Sequence, residues 1–270
     1  MSIMALEQLA QYIYEFCGID YLKNLPSLES KIAYRLKELG LSVWEYSGYV
    51  KIEEKERDIL IELITVNETY FFREENLLNE LKNNIFPLYK EHYKEKTLRI
   101  WCAACSSGEE PYTLAMLIKE TMLFEKGSVE IIASDINKKV LDKAEKGMYN
   151  SKSLSFRKMP YGMLDKYFDL IGDDYKVKDE IREIVKFKNL NMFDNNIEHK
   201  IGMADIILCR NVLIYFDTEF IKKAALSFYN ILNENGYLFL GHAETVTSVN
   251  PGFDTIYTPS IFYYKKGENE

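Results

Sequence analysis

The sequence predicts a mostly parallel α/β domain that follows an all-α N-terminal domain and carries a small antiparallel β insertion. Three observations predict it. From Leu98 onward, short apolar runs alternate with stretches of helical periodicity, the pattern of strands joined by helices that cover both faces of a parallel sheet. Residues 1–85 show helical spacing alone. Between about 150 and 183 the alternation gives way to short charged segments around Gly162, Gly172 and Asp173-Asp174, which read as a hairpin.

In the N-terminal part, Leu6, Leu9, Ile13 and Phe16 mark one helix, and Ile32, Leu36 and Leu39 a second. Gly18 and Gly40 sit where these helices stop. Glu53–Val66 is a third periodic stretch, and Pro87 lies near the switch to the α/β part. The predicted domains are therefore 1–85 and 86–270. No Gly/Ser-rich linker separates them, so they should dock closely. The α/β part reads as strand 98–104, helix 109–124, strand 129–134 and helix 137–146. After the insertion come strands 184–189 and 204–209, helix 217–232, strand 237–241 and a last strand, 261–265. Pro111 falls in the first turn of its helix, where a missing N–H costs nothing.

Composition narrows the classes. The chain has 270 residues, 47% of them hydrophobic, enough for one large or two modest cores. A net charge of −8 argues against a nucleic-acid binder that relies on bulk electrostatics. No apolar run approaches a membrane span, and the start lacks a signal-peptide layout. Cysteines at 17, 102, 105 and 209 form no disulfide framework, which fits a reduced, cytoplasmic setting. Cys102 and Cys105 make one C-x-x-C, but there is no second pair and no nearby histidine, so no metal site is expected.

The most informative stretch is Leu98–Ala115, LRIWCAACSSGEEPYTLA. A strand opens into a loop of small residues and then a helix, the place where doubly wound folds bind cofactors. The next strand ends in Asp135, an acid placed to accept both hydroxyls of a ribose. The loop holds only Gly108 and lacks G-x-G-x-x-G, and acids rather than bare N–H groups start the helix. Both points favour a nucleoside without phosphates, and S-adenosylmethionine fits. The same residues also fit a buried small-residue turn followed by a surface acid.

Five segments together resemble one family. They are Asn67-Glu68-Thr69-Tyr70-Phe71-Phe72-Arg73, Trp101–Tyr112, Ala133-Ser134-Asp135-Ile136, Asn189-Leu190-Asn191-Met192 and Cys209-Arg210-Asn211-Val212-Leu213-Ile214-Tyr215-Phe216. In order and spacing they look like the CheR-type chemotaxis receptor methyltransferases. The resemblance implies a Rossmann-like S-adenosylmethionine methyltransferase domain with an inserted β-subdomain, and an N-terminal helical domain that recognises substrate. It implies methylation of glutamates on the cytoplasmic helical bundle of chemoreceptors, with S-adenosylhomocysteine as product.

Residue by residue, the resemblance implies that Asn67, Thr69 and Arg73 wall the cofactor pocket. It places Ala104 and Glu110 in the first loop, with Glu110 toward the methionyl ammonium or sulfonium. Asp135 should hold the ribose, and Asn191 and Met192 should flank the adenine. Arg210 and Asn211 end a strand at the reacting centre. Arg73 and Tyr215 are the candidate catalytic residues. Lys31, Arg35 and Lys37 form the basic helix face that meets the acidic receptor. Family members that tether to a receptor C-terminal pentapeptide carry a longer loop in the insertion than Leu170–Tyr175 offers here, so a tether-independent monomer is expected. The competing readings are a non-catalytic cofactor-binding sensor or scaffold, and a small-molecule methyltransferase. Retention of Arg73, Asp135, Asn211 and Tyr215 favours turnover, and the basic helix favours a protein substrate.

Overall fold

The computed structural model describes residues 3–267. Helices α1 (Ile3–Cys17), α2 (Leu25–Leu39), α3 (Val43–Ile52) and α4 (Glu54–Ile64) open the chain. The periodic residues Leu6, Leu9, Ile13, Ile32 and Leu36 meet in one core with Tyr46, Val50, Leu60 and Ile64. Asn24 caps α2 by accepting from the Ser27 N–H, and Gly40 closes it in the left-handed conformation. The sequence reading passed over α3. Its signal was the capping box, in which Ser42 and Glu45 satisfy each other's backbone N–H.

Helix α5 (Glu75–Glu80), a π-helical turn (Leu81–Ile85) and α6 (Phe86–His92) follow. Leu77, Leu81, Ile85, Phe86 and Tyr89 pack with Leu98 and Ile100 of the sheet, apart from the core of residues 5–64. The break in packing therefore lies between Ile64 and Phe71, ahead of the 85/86 boundary read from sequence. Pro87 sits in the first turn of α6 rather than between domains. Helical periodicity says that a face is buried but not which core buries it.

Next come β1 (Leu98–Ala103), α7 (Glu109–Thr121), β2 (Val129–Asp135) and α8 (Lys138–Lys146). The insertion holds β3 (Met148–Asn150), α9 (Met163–Tyr167), β4 (Phe168–Ile171), β5 (Asp174–Val177) and α10 (Asp179–Arg182). Then follow β6 (Val185–Asn189), α11 (Ile197–Ile201), β7 (Ala204–Cys209), α12 (Thr218–Ile231), β8 (Leu232–Leu240), β9 (Phe253–Tyr257) and β10 (Phe262–Lys266). The main sheet runs in the order β6-β2-β1-β7-β8-β10-β9, and the insertion forms a separate sheet, β3-β5-β4. Strands β6, β2, β1, β7 and β8 pair in parallel, whereas β10 and β9 run antiparallel. The fold is thus the Rossmann-like α/β architecture with a helical N-terminal region and a small antiparallel sheet. Strand β9 escaped the sequence reading because FDTIY is an edge strand with only Phe253 fully buried. Because β1 lies between β2 and β7, the strand order reverses there and opens a crevice at the carboxyl ends of these strands.

Candidate active site

The carboxyl ends of β1, β2, β6 and β7 form one wall of a cavity of about 510 Å³. The helical domain forms the other wall, through Cys17, Asp20, Tyr21, Asn24, Lys31, Ile64 and Thr65. The volume falls in the range of small-molecule sites.

The β1 loop is built for close approach. Ala104, Ser106 and Gly108 adopt left-handed backbone at φ 56°, 51° and 91°. A Cβ at Gly108 would meet Ala144 Cβ at 2.8 Å, so no other residue fits. The turned loop aims the Ser106 N–H at Asp135 Oδ2 (2.8 Å), and the Asn137 N–H reaches Oδ1 (2.8 Å). A carboxylate has about four acceptor positions, so these bonds leave acceptor capacity for a ligand. Burial raises the pKa of Asp135, and the backbone N–H groups partly offset that rise.

Arg210 follows β7, with its side chain only 3% exposed. Nη1 donates to Glu110 (2.6 Å), and Nη2 pairs with Glu74 Oε2 (3.1 Å) and donates to the Arg73 carbonyl (3.1 Å). Its Nε has no partner among the described residues. Burial raises the pKa of Glu110, and the adjacent Arg210 guanidinium works against it. Arg73 is half-buried and donates from Nη1 to the Glu68 carbonyl (3.2 Å).

Asn211 has left-handed backbone, φ 59°. Its N–H donates to Glu244 Oε2 at 2.8 Å. The buried Glu244 also accepts from the Gly241 N–H (2.7 Å) and the Ile214 N–H (3.3 Å). It thereby shapes the turn that carries Tyr215. The sequence reading missed Glu244, since an acid nine-tenths of the way along the chain has no local signal of its burial. Also missed were the cavity contributions of Cys17, Ile19, Asp20, Tyr21, Ser106 and Ile136.

Asn67, Thr69, Arg73, Ala104, Glu110, Asp135, Asn191, Met192, Arg210, Asn211 and Tyr215 all line this cavity. The basic helix face needs correction, and Asn191 has a second role. Asn191 spends one of its two amide hydrogens on the Phe16 carbonyl (2.5 Å) and one Oδ1 position on the Phe193 N–H (3.0 Å), which leaves one donor and one acceptor position. Asn191 thus ties the adjoining turn to α1 while it lines the cavity. The basic face of α2 is divided. Lys31 turns into the cavity wall, and its Nζ donates to the Leu63 carbonyl (3.3 Å). Arg35 makes a bidentate pair with the buried Glu56 (2.9 and 2.5 Å) and reaches Glu38 (2.7 Å). Only Lys37 of the three is fully exposed. No group of His, Cys, Asp or Glu among the described residues is arranged to hold a metal ion.

The family described as CheR methyltransferase, SAM binding domain, matches residues 67–262. Chemotaxis protein methyltransferase 2 of Vibrio cholerae is 38% identical over 268 residues, spanning 96% of this chain and 92% of that protein. Chemotaxis protein methyltransferase 1 of Pseudomonas aeruginosa is 36% identical, spanning 94% and 95%. The chemotaxis protein methyltransferase of Borreliella burgdorferi is 35% identical, spanning 89% and 88%. On this end-to-end likeness the chain belongs to the CheR methyltransferase family.

Proposed function

We propose that this chain methylates glutamate side chains on the cytoplasmic helical bundle of chemoreceptors, with S-adenosylmethionine as donor and S-adenosylhomocysteine and glutamate methyl ester as products. The observation that carries the reading is the shared cavity. It gathers two carboxylates, Asp135 and Glu110, with Arg73, Arg210 and Tyr215, between the sheet and the helical domain. The residues suit the donor: Asp135 keeps acceptor capacity for a ribose, and Glu110 offers a carboxylate to an ammonium. The buried Arg210 Nε is a donor still lacking an acceptor. Met192 offers a soft face to an adenine ring.

Bound S-adenosylmethionine supplies a methyl group activated on a sulfonium. The acceptor glutamate is already ionised at neutral pH, with a reference pKa of about 4.3. Its oxygen bonds to the methyl carbon while the carbon–sulfur bond breaks, and the electron pair stays on sulfur. No proton moves, so the site needs no general base. The work left to the protein is alignment of oxygen, carbon and sulfur and removal of water from the carboxylate. Arg73 supplies charge-assisted bonds to a carboxylate at that end of the cavity, and Tyr215 orients the acceptor beside it.

Receptor engagement rests on Lys37 and the cavity mouth, where Lys31 lies. The protein acts as a cytoplasmic monomer without a pentapeptide tether. The support for the last point is the hairpin between β4 and β5, where Ile171 pairs directly with Asp174 and only Gly172 and Asp173 form the turn.

Incubation with radiolabelled S-adenosylmethionine and receptor-containing membranes tests the proposal. Base-labile label on the receptor, released as methanol, is expected. Cofactor binding without transfer would favour a sensor or scaffold instead. Removing the receptor tail is expected to leave methylation unchanged, and a large loss on truncation would restore the tether.

A further inference from the structure

Arg73 does not hold its position by itself. The segment around it is rooted in the inserted subdomain, about eighty residues further along the chain. Phe71 is fully buried among insertion aromatics, with ring centroids 4.9 Å from Tyr149, 5.4 Å from Phe156 and 5.2 Å from Phe168. Its N–H donates to the Ser155 carbonyl at 2.9 Å. Phe72 and Glu74, on either side of Arg73, both take left-handed backbone at φ 58° and 61°. That conformation is unfavourable for such residues and persists only where the surroundings impose it.

Above this root sits a second contact. The insertion's Arg157 lies over the Tyr70 ring, its guanidinium carbon 3.8 Å from the centroid. Arg73 lies over the same ring at 5.4 Å. Arg157 Nη2 also pairs with Glu68 Oε1 at 2.7 Å, and Glu68 accepts from Arg73 through its carbonyl at 3.2 Å. Both arginines therefore converge on one ring and one glutamate. The Glu68 carboxylate offsets the repulsion that two cations on a shared ring would otherwise feel. A guanidinium stacks flat on an aromatic face, which an ammonium does not reproduce.

We propose that Arg157 of the inserted subdomain is a positioning residue for Arg73 in methyl transfer, acting through Tyr70 and Glu68. The proposal rests on the reading of Arg73 given above. It gives the insertion a part in the reaction that is separate from any receptor tether. Misplacing a reacting-centre group by about 1 Å is enough to cost up to about a hundredfold in rate.

The test compares Arg157→Ala, Arg157→Lys, Tyr70→Phe and Arg73→Ala in kcat and receptor KM, with near-ultraviolet circular dichroism as the check on folding. Arg157→Ala is expected to lower kcat about tenfold or more while receptor KM stays within about twofold. Arg157→Lys should restore only part of the rate, and Tyr70→Phe, which keeps the ring, should match wild type. In an Arg73→Lys background, Arg157→Ala should add no further loss, because the two residues act as a unit. Wild-type kcat in Arg157→Ala beside an inactive Arg73→Ala overturns the positioning role and leaves the reading of Arg73 standing. An active Arg73→Ala overturns that reading itself. A rise confined to KM would make Arg157 a direct receptor contact and also overturn the proposal. Should Arg157→Ala fail to fold, Tyr70→Leu carries the same kinetic expectations.

Discussion

Glu244 touches none of the residues that the sequence singles out except through their backbone, yet it holds three N–H groups in a buried place. Each buried donor left without a partner costs about 1–3 kcal/mol. Glu244→Ala is therefore expected to destabilise the protein by about 2–4 kcal/mol, read as a lower urea midpoint, and to lower kcat by loosening the turn of Tyr215. Glu244→Gln keeps one acceptor and should cost less. Glu110 gives a second residue-scale prediction, this one in pH. Its pKa is raised above the ordinary 4.5 by burial, partly offset by Arg210. A carboxyl whose folded pKa exceeds its unfolded one holds more protons when folded across that window, so its contribution to the stability of the free protein falls as pH rises through it. For a cationic ligand the sign reverses, because ionised Glu110 is the form that binds. Affinity for S-adenosylmethionine should climb as pH rises through the Glu110 pKa and then level. Calorimetry from about pH 4, below the ordinary carboxyl range, to about pH 8 checks this, and Glu110→Gln should remove the climb. An affinity in the wild type that does not change with pH would remove Glu110 from the ammonium.

At the scale of elements, helix α2 carries two different kinds of charge. Arg35 packs onto Glu56, which is 3% exposed, while Lys37 stands in solvent. Breaking a buried pair from one side costs about 3–5 kcal/mol, and the 19% exposure of the Arg35 side chain places this pair toward the low end. Arg35→Glu is expected to lower the melting temperature sharply, and any loss of activity would follow from that. Lys37→Glu should leave the melt unchanged within about 0.5 kcal/mol. It should raise the receptor KM at low salt and lose most of that effect near 1 M salt, where the Debye length is about 3 Å. A receptor KM equal to wild type at low salt would take Lys37 out of receptor docking. Spacing placed Lys31, Arg35 and Lys37 on one helix, but a helical repeat does not reveal that a buried glutamate on α4 claims one of them.

At the scale of the whole molecule, the cavity exists only because the two cores are fastened together. Asn191 donates to the Phe16 carbonyl, Tyr14 donates to Asp217 (2.6 Å), and Asn137 donates to Thr65 (2.8 Å). At Gly18, with φ 79°, a Cβ would stand 2.6 Å from the Phe220 ring, so the chain between α1 and α2 presses onto α12. A ligand that bridges both walls should stabilise the folded state as a unit. S-adenosylhomocysteine at a hundred times its Kd is expected to add about 2.7 kcal/mol, seen as a higher melting temperature. Asn191→Ala should weaken cofactor affinity by releasing one wall. Unchanged affinity in that variant would show that the two walls hold their spacing without it.

The sequence by itself determined the α/β class, the helical start, the inserted hairpin and the residues that gather at the cavity. These features are written locally: period-two and helical spacing, loop residues small enough for left-handed turns, and long motifs from Asn67 to Phe216. Tertiary structure alone decided which core takes the helix from Glu75 to His92, that Asn191 and Arg35 are engaged within the protein, that Glu244 holds the turn after β7, and that Arg157 packs on Tyr70. Each of those outcomes depends on a partner tens to hundreds of residues away. Local pattern states what a side chain can bond to, and the packing of distant elements chooses which of those bonds is made.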